Sequence, residues 1–310
     1  MSILVVGSVA FDTVETPCGT VEKVLGGAAS FFSVAASFFA PVRVVAVVGG
    51  DFGPRQLGVF QGRGIDLEGL ERAEGDTFHY QCRYTRELNA RETIRTDLNV
   101  FEHFRPKIPA SYRNSEQVFL GNIDPVLQLE VLEQVAKPRL VACDTMNFWI
   151  TRKPAELRRT LERVDILLIN DAEACQLSGE WNLVKAARAV RAMGPRTLVV
   201  KKGEHGVVLF SEVGAFAAPA YLLEEVLDPT GAGDTFAGGF VGYLASLGDY
   251  SEQALRRAVV VGSVLASFAV EGFSLDRLLT LTRQDIAGRF RAFEVLARFG
   301  PLEGEKPAPA

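Results

Sequence analysis

Cysteine is scarce in this sequence, and the cysteines that are present never stand close together. The chain has four of them: Cys18, Cys82, Cys143 and Cys175. None belongs to a CxxC pair, and this spacing fits neither a disulfide framework nor a structural zinc site. We therefore predict free thiols that are buried or half-buried in the fold.

Excess positive charge is also lacking. The formal net charge is −5, so the sequence gives no sign of the basic surface that nucleic-acid binding requires. A small anionic ligand remains compatible with this charge, because a local cluster of backbone N–H groups can bind an anion by itself. We expect a small-molecule ligand and no nucleic acid.

Long hydrophobic runs are missing as well. No uninterrupted apolar stretch reaches the roughly 20 residues that span a bilayer. The N-terminal segment MSILVVGSVAFD has no basic region before its apolar run, and Asp12 follows at once. This pattern is typical of a first core strand rather than a signal peptide. We expect no membrane association and a cytoplasmic location.

What the sequence does contain is a series of short apolar runs, each closed by a glycine or a polar residue. The clearest runs are ILVVGS, VRVVAVVGG, QVFLGN, RLVACD, DILLIN and TLVVKKG. Continuous Val, Ile and Leu runs are typical of strands buried on both faces, and helical patterns between them indicate βαβ units. The 310 residues thus predict an α/β fold with a mainly parallel sheet.

The carboxyl ends of these strands are the expected ligand-binding edge of the sheet. The polar residues that close the runs therefore become candidate site residues as a group. They are Asp12, Asp51, Asn122, Asp144, Asn170 and Lys202.

Residues 76–101 break the pattern because apolar and polar side chains alternate there, as in a half-buried strand. One face would carry Phe78, Tyr80, Cys82 and Tyr84. ELNAR at 87–91 predicts a hairpin turn, and residues 13–24 could add a further short strand or two. A small β-layer cannot bury both of its faces alone, so we expect it to cover the ligand cleft, to pair with another subunit, or to do both.

A glycine-rich junction, DPTGAGDTFAGGF at 228–240, joins a loop to an apolar helix. Gly231, Ala232 and Gly233 allow a sharp turn with close backbone approach to a ligand. The helix that follows has unpaired N–H groups and a partial positive charge at its start, which together form an anion site.

Asp234 lies in the first turn of this predicted helix, and two interpretations remain open for it. It could simply complement the helix dipole. It could also take a proton from a hydroxyl while the N–H groups stabilise a transferring phosphoryl group. GAGD is neither a Walker motif nor a GxGxxG motif at the first βαβ unit, so a nicotinamide dehydrogenase fits poorly.

At these residues the chain resembles the ribokinase-like sugar kinases, the PfkB carbohydrate kinase family. The supporting segments occur in the family's order: GSVAFD, LGGAASFF, VVGGDFG, NDAE, KKGEHG and DPTGAGDTFAGGF. The resemblance implies a doubly wound α/β domain over 1–300, with β-lid segments at about 13–24 and 76–105 that often dimerise. Residues 301–310, rich in Pro, Glu and Ala, predict a disordered tail.

The resemblance also implies roles for individual residues. Asp234 would be the general base, and Gly231, Ala232 and Gly233 the anion hole for the γ-phosphoryl group of ATP. The acceptor would be held by Asp12, Gly26 and Gly27. The nucleotide would be bordered by Lys202, Gly203, Gly206 and Thr230, although Lys201 stands where relatives often have Thr.

The resemblance further implies magnesium near Asn170 and Glu173, bound through water and phosphate, and a monovalent cation such as K⁺ near Asp228. NDAE has an alternative interpretation as a helix N-cap with its capping-box acid. CDTMNFW differs by one residue from the family's Asp-x-Asn spacing, so Asp144 and Asn147 receive no firm role.

Two departures concern the acceptor. Ala10 and Phe31 occupy positions where many sugar-binding relatives have Asn, so the acceptor could carry an apolar or aromatic part, as a nucleoside does. Lid arginines could instead meet an anionic substrate, or simply discourage edge aggregation. They are Arg83, Arg86, Arg91 and Arg95.

The sequence therefore predicts an ATP- and Mg²⁺-dependent kinase that phosphorylates a hydroxymethyl group of a sugar or sugar-containing molecule. A nucleoside kinase of the same fold is the nearest alternative. A nucleotide- or sugar-binding regulator without turnover is the alternative from another class. A homodimer through the lid is expected.

Overall fold

The computed structural model describes residues 1–86, 88 and 91–298. Most of the predicted turn at 87–91 and all of the predicted tail at 301–310 lie outside the described residues. The described strands are β1 Ile3–Val6, β2 Ala10–Thr16, β3 Gly19–Gly26, β4 Val42–Val48, β5 Asp66–Arg72, β6 His79–Tyr84, β7 Arg91–Asp97, β8 Gln117–Leu120, β9 Leu140–Asp144, β10 Ile166–Asn170, β11 Thr197–Lys201, β12 Val207–Phe210 and β13 Ala215–Ala218.

The α-helices lie between and after these strands. They are α1 Ala28–Ala36, α2 Pro54–Gln61, α3 Pro125–Gln134, α4 Asn147–Arg152, α5 Pro154–Leu161, α6 Asp171–Ser178, α7 Leu183–Arg191, α8 Ala232–Leu247, α9 Glu252–Ala269, α10 Asp276–Leu279 and α11 Arg283–Ala297. Short 3₁₀ helices occur at Asn99–His103, Ala110–Tyr112 and Gly203–His205.

A large sheet of nine strands within the described residues forms the centre of the molecule. Its order is β13-β12-β11-β10-β9-β8-β1-β4-β5. Every pair from β5 to β11 is parallel, and β12 and β13 add antiparallel strands at one edge. The predicted apolar runs form the parallel strands, so the predicted α/β class with a mainly parallel sheet is confirmed.

Helices cover both faces of this sheet. Ile3 and Val5 of β1 point into a core with α1, α8 and α9, whereas Leu4 and Val6 point into a second core with α3, α5 and α7. A strand that is buried on both sides needs apolar residues at every position, which accounts for the uninterrupted runs in the sequence.

Glycines let α8 pack tightly between its neighbours α1 and α9. A Cβ on Gly242 would be 2.9 Å from the Cα of Ala36 in α1, and one on Gly239 would be 3.2 Å from the Cα of Gly262 in α9. These contacts hold the middle of α8 close to α1 and α9.

The small sheet, made of β2, β3, β6 and β7, has the order β3-β2-β6-β7. Val14, Cys82 and Tyr84 are buried together on one face, and the other face carries polar contacts such as Arg83 Nε to Glu15 Oε2 at 2.9 Å. β2 begins after a link of only residues 7–9 from β1. The strands of the small sheet overlap the predicted lid segments, and the action of this sheet as a lid stays a prediction.

The cysteines are free, but they differ in exposure. Cys82 and Cys143 are buried and Cys175 is half-buried, as predicted. Cys18 is exposed, so its predicted burial is wrong: it lies in the short turn between β2 and β3. Among the described helices, none has both the length and the apolar character to cross a bilayer.

Candidate functional site

The candidate site lies where the strand ends of the large sheet meet the start of α8 and the base of the small sheet. β9, β10 and β11 end in succession at Asp144, Asn170 and Lys201, and they are adjacent in the sheet. Parallel neighbours deliver their last residues to the same edge, which is why these three side chains come together.

The turn before α8 has the geometry that the glycines predict. Gly231 is the N-cap of the helix and has a left-handed backbone conformation with φ 75°, which glycine adopts without penalty. Gly231, Ala232 and Gly233 are all half-buried. The N–H groups of the first helical turn have no partners inside the helix, so this turn can bind an anion.

Asp234 lies half-buried in the first turn of α8. Burial and the nearby Asp144 carboxylate raise the pKa of Asp234 to about 7, with Lys201 and Arg91 opposing the rise and Glu173 adding to it. A carboxyl group with a pKa near 7 can accept and release a proton at neutral pH. Dipole complementation alone would instead lower its pKa.

Lys201 and Asp144 form an ion pair at the edge of the sheet. Lys201 Nζ is 3.2 Å from Asp144 Oδ2, and both side chains are largely buried. The other Asp144 oxygen accepts a hydrogen bond from the Thr145 N–H at 2.7 Å. Burial acts to lower the pKa of Lys201, but the carboxylates of Asp144, Glu173 and Asp234 raise it above its usual value.

Asn170 and Glu173 form a capping box at the start of α6. Asn170 Oδ1 accepts from the Glu173 N–H and Glu173 Oε2 accepts from the Asn170 N–H, each at 2.8 Å. The capping alternative considered for NDAE is therefore realised. Burial and Asp144 raise the pKa of Glu173 to about 7, so this carboxyl also belongs electrostatically to the site.

No cluster of three or more metal-ligating side chains occurs among the residues that the structure describes. Mg²⁺ commonly keeps several waters and takes one or two carboxylates together with substrate phosphates. Asn170 and Glu173 fit that kind of indirect binding, and they do not form a direct ligand cage.

Asp12, Gly26 and Gly27 lie together at the base of the small sheet. Asp12 is 5% exposed, and a Cβ on Gly26 would overlap its carboxylate. Gly27 has φ 90° and precedes α1, and its N–H donates to Asp12. Burial and the charge of Asp228 raise the pKa of Asp12 to about 7, with Asp234 adding to the rise.

Asp228 and Thr230 shape the loop before α8. Asp228 is 1% exposed, and its Oδ1 accepts from the Thr230 N–H at 2.8 Å. Burial raises the pKa of Asp228. The Thr230 hydroxyl is 3.3 Å from the Tyr84 hydroxyl of the small sheet, so Thr230 contacts that sheet, and its predicted contact with the nucleotide stays a prediction.

The predicted nucleotide loop follows β11. The Lys202 N–H donates to the Gly206 carbonyl at 2.8 Å, which closes the loop around the 3₁₀ turn Gly203–His205. Gly206 has φ 87°, and a Cβ there would overlap the Ala218 carbonyl of β13. Only glycine fits both demands. The contact of this loop with a nucleotide stays a prediction.

Sequence reasoning assigned no site role to Lys201, gave Asp144 no firm role, and considered Arg91 only as one of several lid arginines. Arg91 of β7 lies over the Tyr80 ring, 5.7 Å from its centroid, and it opposes the burial-driven rise in the pKa of Asp12 and Asp234. The available signal was the final lysine of TLVVK, because a strand's last residue reaches the ligand edge. Arg91 had no such signal, since it is one of several lid arginines.

Some candidates lie elsewhere or have local partners. Asp51 accepts from the Thr77 N–H at 2.8 Å, and Asn122 accepts from Trp149 Nε1 at 3.0 Å. Asn147 is exposed on α4. Phe31 is 1% exposed and its ring lies against Gly231, so it supports the anion-binding turn and offers little surface to an acceptor.

Chemically, the site combines the Asp234 carboxyl group with a pKa near 7, a helix start whose unpaired N–H groups can bind an anion, and a second carboxyl group, Asp12, on the small sheet. A hydroxyl held between Asp12 and Asp234 would lie beside the turn Gly231–Gly233. This arrangement suits the transfer of an anionic group to an alcohol.

Comparisons with known proteins agree with this chemistry. Residues 2–276 match the model of the pfkB family carbohydrate kinases. The cytidine kinase of Thermococcus kodakarensis is 29% identical over 247 residues, which cover 78% of this chain and 87% of that protein. The ribokinase of Bacillus subtilis is 28% identical over 293 residues, covering 87% and 95%.

Solved structures share the fold. The nucleoside kinase of Methanocaldococcus jannaschii, described as an archaeal member of the ribokinase family, superposes with a TM-score of 0.74 at 21% identity, covering 94% of this chain and 98% of that one. The predicted ribokinase-like fold and the predicted family are confirmed. The chain therefore belongs to the pfkB family of carbohydrate kinases and is an ATP-dependent carbohydrate or nucleoside kinase.

Proposed function

We propose that this kinase transfers the γ-phosphoryl group of ATP to a hydroxymethyl group of a nucleoside or a related sugar-containing molecule. The observation that carries the proposal is Asp234, held in the first turn of α8 with a pKa raised by burial and Asp144 to about 7. A base must be near its pKa at working pH and must adjoin the group that receives negative charge.

In the proposed mechanism Asp234 accepts the proton of the acceptor hydroxyl. The hydroxyl oxygen then forms a bond to the γ-phosphorus as the bond to the β,γ-bridging oxygen breaks, and ADP leaves on the opposite side. The N–H groups of Gly231, Ala232 and Gly233 stabilise the charge on the moving phosphoryl oxygens. Asp12, with Gly26 and Gly27, orients the acceptor.

Mg²⁺ would be held by the ATP phosphates and, through water, by Asn170 and Glu173. When bound it neutralises charge on the phosphates. The capping box orients Asn170 and Glu173 without supplying a direct cage. Lys202, Gly203, Gly206 and Thr230 remain proposed nucleotide-side residues, and a K⁺ site beside Asp228 remains a proposal of the same standing.

A nucleoside is favoured over a free sugar as acceptor by the inner face of the small sheet. Tyr80 and Tyr84 lie on the side that packs with Val14 and Cys82, and aromatic rings suit stacking with a nucleobase. The cytidine kinase and nucleoside kinase relatives support the same choice.

A free pentose is the second candidate acceptor. It is favoured by the nearly complete burial of Asp12, which is 5% exposed, because a buried carboxylate needs a hydroxyl donor as its partner. The two candidates differ in whether the aromatic face of the small sheet contributes to acceptor binding.

The test is ADP release with ATP and Mg²⁺ over a panel of nucleosides, pentoses, hexoses and sugar phosphates. We expect the highest kcat/KM with a nucleoside, a product phosphorylated at the hydroxymethyl group, and loss of both in Asp234→Asn. A higher kcat/KM with ribose would transfer the proposal to the second candidate. Tight acceptor binding without ADP release across the whole panel would contradict both.

The homodimer through the small sheet also remains a proposal. Its support is the exposed edge strand β7, where Ile94 is 43% exposed, because unpaired strand edges invite pairing. Light scattering at micromolar concentration should give the mass of a dimer, and Ile94→Glu should give that of a monomer. A monomeric mass for the unmodified chain would contradict the proposal.

A further inference from the structure

Lys201 places its ammonium group against the first turn of α8. Nζ is 3.2 Å from Asp144 Oδ2, and a Cβ built on Gly233 would be 3.1 Å from the same Nζ. The side chain is 18% exposed. The Lys201 ammonium group therefore forms an ion pair with the Asp144 carboxylate on one side and borders the proposed anion hole on the other.

This position is unfavourable for a cation while no anion is bound. The start of a helix carries about half a positive charge, which repels an ammonium group, and burial adds a desolvation cost. The carboxylates of Asp144, Glu173 and Asp234 offset these costs and keep Lys201 protonated. A charged lysine is thus maintained at the place where the backbone itself attracts anions.

We infer that Lys201 is a catalytic residue that donates a hydrogen bond to the γ-phosphoryl group of ATP during transfer. An ammonium group has three N–H donors, and the ion pair with Asp144 uses one of them. A fixed positive charge there stabilises the equatorial oxygens of the moving phosphoryl group. The inference rests on the proposed transfer at the start of α8 and adds a residue that the glycine-rich motif does not contain.

The competing explanation is that Lys201 only neutralises the buried Asp144 carboxylate. Removing the lysine alone would disturb the site under either explanation, because it leaves a buried charge unpaired. Removing both charges separates them. In Lys201→Met/Asp144→Asn no buried charge of the pair remains, so a purely structural role predicts that stability and turnover return together.

The first measurement is nucleotide binding without acceptor, which makes it independent of acceptor identity. With Mg²⁺ present, Lys201→Met should bind the non-hydrolysable analogue AMP-PNP about tenfold more weakly and bind ADP nearly as the unmodified enzyme does. Lys185→Met, on the exposed surface of α7, is the matched control and should change neither. Unchanged affinity for both ligands in Lys201→Met would overturn the inference while leaving the proposed transfer intact.

The second measurement is turnover. In Lys201→Met we expect kcat to fall by about 10²–10³ with little change in the acceptor KM, and Lys201→Arg should recover part of the loss. The double variant should regain the thermal unfolding midpoint but not kcat. Recovery of kcat in the double variant would assign Lys201 a structural role only, and this variant also serves if Lys201→Met fails to fold.

The pH profile gives a third readout, because Lys201 opposes the rise in the pKa of Asp234. The charged groups around Asp234 are Asp12 of β2, Arg91 of β7, Asp144 of β9, Glu173 of α6 and Lys201 of β11. Loss of Lys201 should move the acidic limb of kcat/KM to higher pH. An unmoved limb together with unchanged AMP-PNP binding would overturn the inference.

Discussion

The ring of Phe31 lies directly beneath Gly231, so closely that a Cβ on Gly231 would be 2.5 Å from its ring carbons. α1, which carries Phe31, follows the predicted acceptor residues Gly26 and Gly27. Gly231 opens the predicted anion hole. This aromatic contact thus connects the predicted acceptor side of the site to the predicted phosphoryl side. It also limits how closely the turn at Gly231 can approach α1.

Gly231→Ala should therefore lower the free energy of unfolding by more than the left-handed backbone conformation alone would cause. Gly179 at the end of α6 has nearly the same φ, 73° against 75°, and a Cβ there would have no described atom within 4 Å. We expect Gly179→Ala to lower the free energy of unfolding by about 1 kcal/mol and Gly231→Ala by about 2–4 kcal/mol. Urea unfolding measures both. An equal loss of unfolding free energy in both variants would show that the Phe31 ring moves aside without cost, which would contradict this prediction.

Asp234→Asn should lower kcat by about 10²–10⁴, the range for a positioned general base, with little change in the Kd of ATP. In the unmodified enzyme kcat/KM should fall as the pH drops below about 7, because burial and Asp144 raise the pKa of Asp234 to about 7 and protonation removes the base. Asp276→Asn, at an exposed first turn of α10, is the control. Full activity in Asp234→Asn would refute the base assignment.

Asp12→Asn should stabilise the protein at high pH while weakening acceptor binding. The pKa of Asp12 is raised from 3.8 to about 7 by burial and Asp228. The folded state therefore binds the proton more tightly, and this contribution to stability is full below about pH 4 and is lost as the pH rises through about 7.

At pH 8 the free energy of unfolding of Asp12→Asn, measured with urea, should exceed that of the unmodified protein by about 1–2 kcal/mol. This difference should be smaller at pH 5. The acceptor KM should rise. A larger difference in unfolding free energy at pH 5 than at pH 8 would contradict this prediction.

Arg91→Met should affect catalysis, whereas Arg83→Met on the same small sheet should not. Arg91 lies over Tyr80 and lowers the pKa of Asp12 and Asp234 against the effect of burial. Arg83 pairs with Glu15 and is 48% exposed, so its loss matters little. In Arg91→Met we expect the acidic limb of kcat/KM to move up by some tenths of a unit to about one unit. The same profile for both variants would contradict this assignment.

The sequence predicted the sheet and much of the site because both depend on short-range patterns. Uninterrupted apolar runs located the parallel strands, and glycines at Gly231 and Gly206 marked turns that need a left-handed backbone. Asp12 and Asp234 were identified through the motifs of the family resemblance, since Asp12 lies inside β2 and Asp234 in the first turn of α8.

What the sequence could not give was the reach of long side chains. Lys201 and Lys202 are neighbours, and only the strand register, which pairs Lys201 with Asn170, decides which of them faces Asp144. Arg91 reaches the site only because β7 pairs with β6. Phe31 appeared to be an acceptor residue, but the packing of α1 against α8 turns it under Gly231.

The short link from β1 to β2 gives the small sheet and the acceptor carboxylate a common support. Only residues 7–9 separate the strands, and Asp12 lies at the third position of β2. A rotation of the small sheet about this link must carry Asp12 with it. We therefore expect that binding of an alcohol to Asp12 sets the position of the whole small sheet. A water molecule alone should not have this effect, so that ATP is hydrolysed only slowly while the acceptor is absent.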